Sequence, residues 1–332
     1  MAFALPGHWV WDSWTAVDGD TTHLFYLHAP TALGDPDLRH RNAAVGHATS
    51  TDLVTWTDHG VVLEHGPAGS PDASATWTGS VTRDPSGLWR MSYTGSVFPR
   101  DDAGVNVETV LQATSADLHR WVKASVSALS ADPRWYETLA DGTWREEAWT
   151  DPWVERDPAG DGWRMLVTAR SQAAAPGPDA DPLDRGVVGH AVSRDLVTWT
   201  AAAPLSAPGA GFAHLEVLQV AEVDGRRVLV FSCAGSDLAG ARAGQEGGVF
   251  ALPLDDDQPF GRPVDIGRAR LLHGEGLYAA RIVRTPSGPA LLGFEDAGAD
   301  GSFVGRIPDP VPVRWPARVY TARRANRRLR DG

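Results

Sequence analysis

One phrase recurs three times in this chain and restricts the folds open to it. Gly46-His47-Ala48-Thr49-Ser50-Thr51-Asp52-Leu53-Val54-Thr55-Trp56, Gln112 to Trp121 and Gly189 to Trp199 each end in Asp-Leu-x-x-Trp, with the aspartates at Asp52, Asp117 and Asp195. A period of roughly 65–80 residues is too long for a solenoid repeat and suits a four-stranded propeller blade with decorated loops. The 332 residues hold about five such units. The segments Thr22–Leu27, Leu88–Tyr93, Gly162–Val167 and Arg227–Phe231 read as strands, and each follows a turn signal: Asp18-Gly19-Asp20, Pro85-Ser86-Gly87, Ala159-Gly160-Asp161 and Asp224-Gly225-Arg226. No amphipathic run of helical length interrupts them. The expectation is one all-β domain over residues 1–332, a five-bladed β-propeller with its site on the central axis.

Composition narrows the partners. With 30 Lys+Arg against 42 Asp+Glu, the formal charge of −12 repels phosphate backbones, so nucleic acid is not expected. No apolar run approaches the ~20 residues that span a bilayer, so no membrane partner is expected either. The single cysteine, Cys233, rules out a disulfide within the chain. The opening Met1-Ala2-Phe3-Ala4-Leu5-Pro6 lacks a basic and then apolar leader, which makes the cytoplasm the expected compartment. Long Ala/Gly/Pro-rich stretches at 171–186, 201–213 and 234–248 read as loops over one face. The basic stretch 314–332 reads as a solvated or edge-docked tail.

Three carboxylates stand out against their neighbours. Asp12 sits in Trp11-Asp12-Ser13-Trp14, where Trp11 and Trp14 shield it from water and offer stacking faces for a sugar ring. Asp151 precedes Pro152, which biases its backbone to an extended conformation. Glu216 lies inside the apolar run Ala213-His214-Leu215-Glu216-Val217-Leu218, where burial raises a carboxyl pKa and favours the protonated acid. Glu222, Glu246 and Glu275 remain alternatives for the acid. The aspartates of the repeat are read as turn formers, with the following tryptophan packed between blades. His47 and His190 are read as strand residues with satisfied rings. No sequence pattern for a metal or a cofactor is present.

These residues resemble glycoside hydrolase families 32 and 68. Trp11-Asp12-Ser13-Trp14 is similar to the nucleophile motif of family 68, the levansucrases. His23-Leu24-Phe25-Tyr26, the segment 46–56 and Tyr278-Ala279-Ala280 are similar to family 32, the invertases and levanases. Trp77-Thr78-Gly79-Ser80 and Thr150-Asp151-Pro152 match segments of both. The resemblance runs in order from about Trp9 to about Gly305. It implies a five-bladed propeller with Asp12 as nucleophile, Glu216 as acid/base and Asp151 as transition-state stabiliser. Trp11, Trp14, Trp77, Ser80, Thr150 and Tyr278 would line the sugar pocket. The implied reaction is retaining double displacement on a small fructofuranoside or oligosaccharide, by hydrolysis or transfer.

The chain also departs from the pattern. Thr150 stands where the families carry arginine, Leu27 and Ala29 replace polar residues, Val217 follows Glu216, and too few residues follow the last blade for a family 32 β-sandwich. Two alternatives therefore stay open: an inverting enzyme similar to family 43, acting on arabinosides or xylosides, and a non-catalytic propeller that binds sugar or protein.

Overall fold

The repeated phrase folds the same way each time, into a turn that ends the third strand of a blade. Ser50, Ser115 and Ser193 accept, at Oγ, the amides of the aspartate and leucine that follow. The aspartate then accepts the amides two and three residues on, at 2.8 and 2.6 Å for Asp52, 2.9 and 2.9 Å for Asp117, and 2.8 and 2.8 Å for Asp195. These bonds force the intervening leucines to positive φ, 62°, 65° and 64° at Leu53, Leu118 and Leu196. The tryptophan that closes the turn packs inward: Trp56 meets Phe3, and Trp121 of the second blade meets Phe25 of the first. Ser115 is buried, so Ser115→Ala should strand two amides and destabilise the protein by about 1–3 kcal/mol. Urea unfolding with an unchanged m-value checks this.

In the computed structural model, residues 2–99, 105–157, 160, 162–254, 263–298 and 301–315 are described. The tail expected at 314–332 lies outside them apart from Arg314 and Trp315. Among the described residues the chain forms five antiparallel sheets in sequence order. The first blade is β1 (His8–Asp18), β2 (Thr21–Pro30), β3 (Ala44–Ser50) and β4 (Thr57–Leu63). The second is β5 (Ala75–Arg83), β6 (Trp89–Val97), β7 (Asn106–Ser115) and β8 (Val122–Lys123), with the short β9 (Glu146–Glu147) added parallel to β7. The third holds β10 (Trp149–Arg156), β11 (Trp163–Arg170), β12 (Gly186–Ser193) and β13 (Thr200–Ala202). The fourth holds β14 (Glu216–Val223), β15 (Arg226–Cys233), β16 (Gly248–Pro253) and β17 (Arg270–Gly274). The fifth holds β18 (Tyr278–Thr285), β19 (Gly288–Ala297), β20 (Phe303–Arg306) and β21 (Val311–Pro312). Among the described residues helix is confined to short 3-10 turns, and none is long and apolar enough to cross a membrane. Cys233 is buried and free.

The first strands touch in cyclic order, β1 to β5, β10, β14, β18 and back to β1, so they form the inner ring. Phe3 pairs with Ile307 through both backbone bonds, 2.7 and 3.0 Å, and joins the chain's start to the fifth blade. Apolar side chains fill the spaces between neighbouring sheets. The three Ala/Gly/Pro-rich loops connect β11 to β12, β13 to β14 and β15 to β16, all at one end of the ring.

One irregularity recurs in all five inner strands. The register slips between Val10 and Ser13 in β1, Trp77 and Gly79 in β5, Thr150 and Trp153 in β10, Glu216 and Gln219 in β14, and Tyr278 and Arg281 in β18. A bulge of this kind bends a strand and re-aims the side chains beside it. Its strain is visible as positive φ at Asp151 (56°), Val217 (54°) and Ala279 (47°). The extended conformation expected of Asp151 from its proline neighbour is therefore corrected: the bulge imposes a left-handed φ there.

Candidate active site

The bulges of β1, β10 and β14 deliver Asp12, Asp151 and Glu216 into one cleft of about 750 Å³ at the end of the ring crowned by the three long loops. Trp11, Trp77, Thr150 and Tyr278 line the same cleft. Two of the expected sugar-pocket residues do not. Trp14 is 1% exposed and stacks on Phe25 in the core, because the bulge at Asp12 reverses the alternation beyond it. Ser80 is buried between blades and accepts the Val154 amide at 3.2 Å. Of the alternative acids, Glu222 lies exposed and pairs with Arg284, and Glu246 is also exposed and lies outside the cleft lining. Glu275 reaches the cleft wall, where its carboxylate accepts the Gly235 amide at 2.7 Å.

The three acids have different surroundings. Asp12 accepts a 2.5 Å hydrogen bond from Thr78 Oγ1, the side chain at the bulge of β5. Burial, reinforced by the negative charges of Asp151 and Glu216, pushes its pKa to about 7, against the opposing pull of Thr78 and Arg39. Asp151 is held on both oxygens: Oδ2 accepts from Thr168 Oγ1 (2.9 Å) and the Val217 amide (3.1 Å), and Oδ1 accepts from Thr150 Oγ1 (3.1 Å). Its own amide donates to Thr94 Oγ1 at 3.0 Å. A carboxylate fixed this tightly keeps its orientation while a ligand binds.

Glu216 is raised by burial and by Asp151, against the attraction of His214. Tyr278 donates its hydroxyl to Glu216 Oε2, and His214 Nε2 stands 3.5 Å from Oε1. The same His214 nitrogen lies 3.2 Å from Asp237. Burial opposes the imidazolium, but Glu216 and Asp237 outweigh it and lift His214 to about 9. The imidazolium thus lowers the proton affinity of Glu216. His214→Gln removes it, so Glu216 should lose its proton at higher pH and the alkaline limb of kcat/KM should move upward. A downward move would contradict the arrangement.

Several participants escaped the sequence reading. Arg281, on β18, is 3% exposed, and its three guanidinium nitrogens have no hydrogen-bond partner among the described residues. It lies over the Trp153 ring at 5.1 Å, and its charge is felt by both Asp151 and Asp12. It supplies a buried cation near the carboxylates although Thr150 occupies the position beside Asp151. An arginine inside the apolar run Ala279-Ala280-Arg281-Ile282-Val283 is the same signal that marked Glu216. Glu108, on β7, also lines the cleft; burial and the charges of Glu146 and Asp151 raise its pKa well above the usual range. Asp237 and Arg39 belong to the wall as well, and only the fold brings them there. A cleft with buried carboxyls at different proton affinities, flanked by tryptophan faces, is equipped for general acid and nucleophilic chemistry on a polyol.

Residues 15–288 match the glycosyl hydrolases family 32 N-terminal domain. The chain belongs to glycoside hydrolase family 32. The match begins just after Asp12, so the family's pattern covers Asp151, Glu216 and Tyr278 while Asp12 enters the site by geometry. Among curated family relatives, a fructan 6-exohydrolase of Beta vulgaris is 30% identical over 138 residues, 37% of this chain and 22% of that protein. The chain therefore spans about a fifth of that relative in the aligned region. Two solved structures share the fold. An inulosucrase from Halalkalicoccus jeotgali, bound to kestose, superposes with a TM-score of 0.70 at 22% identity, covering 90% of this chain and 79% of that one. A family 32 beta-fructofuranosidase of Bombyx mori gives 0.67 at 18% identity, covering 92% and 61%.

Proposed function

We propose that this family 32 chain cleaves or transfers a terminal fructofuranosyl unit of a small oligosaccharide by double displacement. The observation that carries the reading is the delivery of Asp12, Asp151 and Glu216 from three inner strands into one cleft, where each carboxylate feels another's charge. Asp12 attacks the anomeric carbon. Glu216, the raised acid, protonates the departing oxygen and then takes a proton from water or an acceptor sugar. Asp151, fixed by two threonine hydroxyls and an amide, accepts hydrogen bonds from the ring hydroxyls. The cleft volume falls in the range of small-ligand sites, and a fructosyl oligosaccharide such as kestose, the sugar in the inulosucrase, is of the chemical class the reading requires.

The test is a panel of fructosides, arabinosides and xylosides, with the first-formed product anomer followed by NMR. Release of fructose with retained configuration supports the reading. Turnover of pentosides with inverted configuration, or none at all on the panel, overturns it.

A further inference from the structure

Four imidazoles gather at a place that the sugar chemistry does not use. His23, His47 and His59 lie on adjacent strands β2, β3 and β4 of the first blade, and His119 lies in the Asp117 turn of the second blade. Ring centroids are 5.1 Å apart for His23 and His47, 4.9 Å for His47 and His59, 4.8 Å for His47 and His119, and 5.0 Å for His59 and His119. One ligand nitrogen from each of His47, His59 and His119 lies within 4.8 Å of the others. The cluster is remote from the cleft. His23 is four residues along β2 from Leu27, which lines the cleft, a separation of about 13 Å at the strand rise.

His47 is the informative member. It is fully buried, Nε2 stands 3.0 Å from His23 Nδ1, and Nδ1 has no partner among the described residues. The strand position and the ring bond expected from the sequence are present, and one ring nitrogen is left over. With its Nε2–H donating to His23 Nδ1, the His47 Nδ1 presents a lone pair, and a buried lone pair left unmatched is costly. Among the described residues, none of the four rings is ion-paired with a carboxylate, the arrangement that would favour imidazolium. Neutral rings present lone pairs, and several imidazoles with no thiolate suit zinc, nickel or copper rather than calcium or magnesium.

We propose that His47, His59 and His119 bind a divalent transition metal that clamps the first blade to the second, with His23 holding the His47 ring in place through their 3.0 Å hydrogen bond. Tetrahedral coordination at 2.0–2.1 Å sets ligand nitrogens about 3.4 Å apart, so the rings must close by roughly an ångström. His59 and His119 are exposed and able to turn inward, while His47 is the fixed post. The join lies beside the contact between Phe25, on which His47 stacks at 5.0 Å, and Trp121 of the next blade.

The test uses the untagged, chelator-dialysed protein. Zn2+ alone should bind saturably with one-to-one stoichiometry in calorimetry and raise Tm by several degrees. Mg2+ should do neither, and Co2+ should give visible absorption bands of a tetrahedral nitrogen site. His59→Gln and His119→Gln, both at exposed positions, should each weaken Zn2+ binding at least tenfold and abolish the Tm rise, with metal-free Tm and fructoside turnover preserved. Absence of saturable Zn2+ binding overturns the proposal. So does binding that both variants leave intact, which would place the metal elsewhere. Because the readouts are affinity, Tm and absorption, the outcome is independent of the sugar assignment.

Discussion

Under the proposed double displacement, Asp12→Asn is expected to reduce fructoside turnover by on the order of 10⁴–10⁶-fold, since it removes the proposed nucleophile of a machine whose parts act together. The fold should not suffer. The folded carboxyl has its pKa lifted to about 7 from 3.8 by burial and by Asp151 and Glu216. A raised folded pKa means that ionising Asp12 opposes folding. The penalty is absent below about pH 4, builds as pH rises towards 7 and is complete above it. The asparagine variant should thus gain thermal stability over the parent at pH 7.5 and little or none at pH 4. Loss of activity together with this gain identifies a catalytic charge held at a cost. An inactive variant with a lowered Tm at pH 7.5 would instead mean that Asp12 supports the structure, and retained activity would remove it from the reaction.

The second large effect belongs to Glu216→Gln. Removing the proton donor should slow natural sugars by about 10²–10⁴-fold, while substrates with an activated aryl leaving group, which need no proton to depart, should lose far less in the first step. Comparing kcat/KM on both classes makes the measurement. An external nucleophile such as azide should speed breakdown of the glycosyl intermediate on the aryl substrate, because it needs no general base. Equal losses on both substrate classes would exclude the acid role and turn attention to Glu108, another cleft carboxyl, whose pKa lies well above the usual range.

Much of the fold was legible because its signals are local. The turn dipeptides at Gly19, Gly87 and Gly225 announce β2, β6 and β15, and the Ser-x-Asp-Leu hydrogen bonds explain the repeated phrase atom by atom. The three acids were legible because a charge among bulky or apolar neighbours is costly unless it is used. What could not be read is the backbone at the bulges. Val217 is β-branched and gives no hint of a φ of 54°; only the packing of five inner strands around one axis makes that conformation tolerable. The misplacement of Trp14 follows directly, since strict alternation keeps it on the face of Asp12 and the bulge does not. His214 and Arg281 were missed for a different reason. His214 works through Asp237, 23 positions on, as well as through the nearby Glu216, and Arg281 through Asp151, 130 positions back, and a lone sequence carries no record of such distant pairs.

The kink repeated in every inner strand has a consequence for how chemistry is installed on this ring. It works as five sockets around one axis. Three carry acids at or beside the kink, one presents the Thr78 hydroxyl, and the fifth buries Ala279 in the core and presents the Tyr278 phenol. Reactivity can then be rewritten by exchanging the occupant of a socket while the barrel of backbone around it stays unchanged.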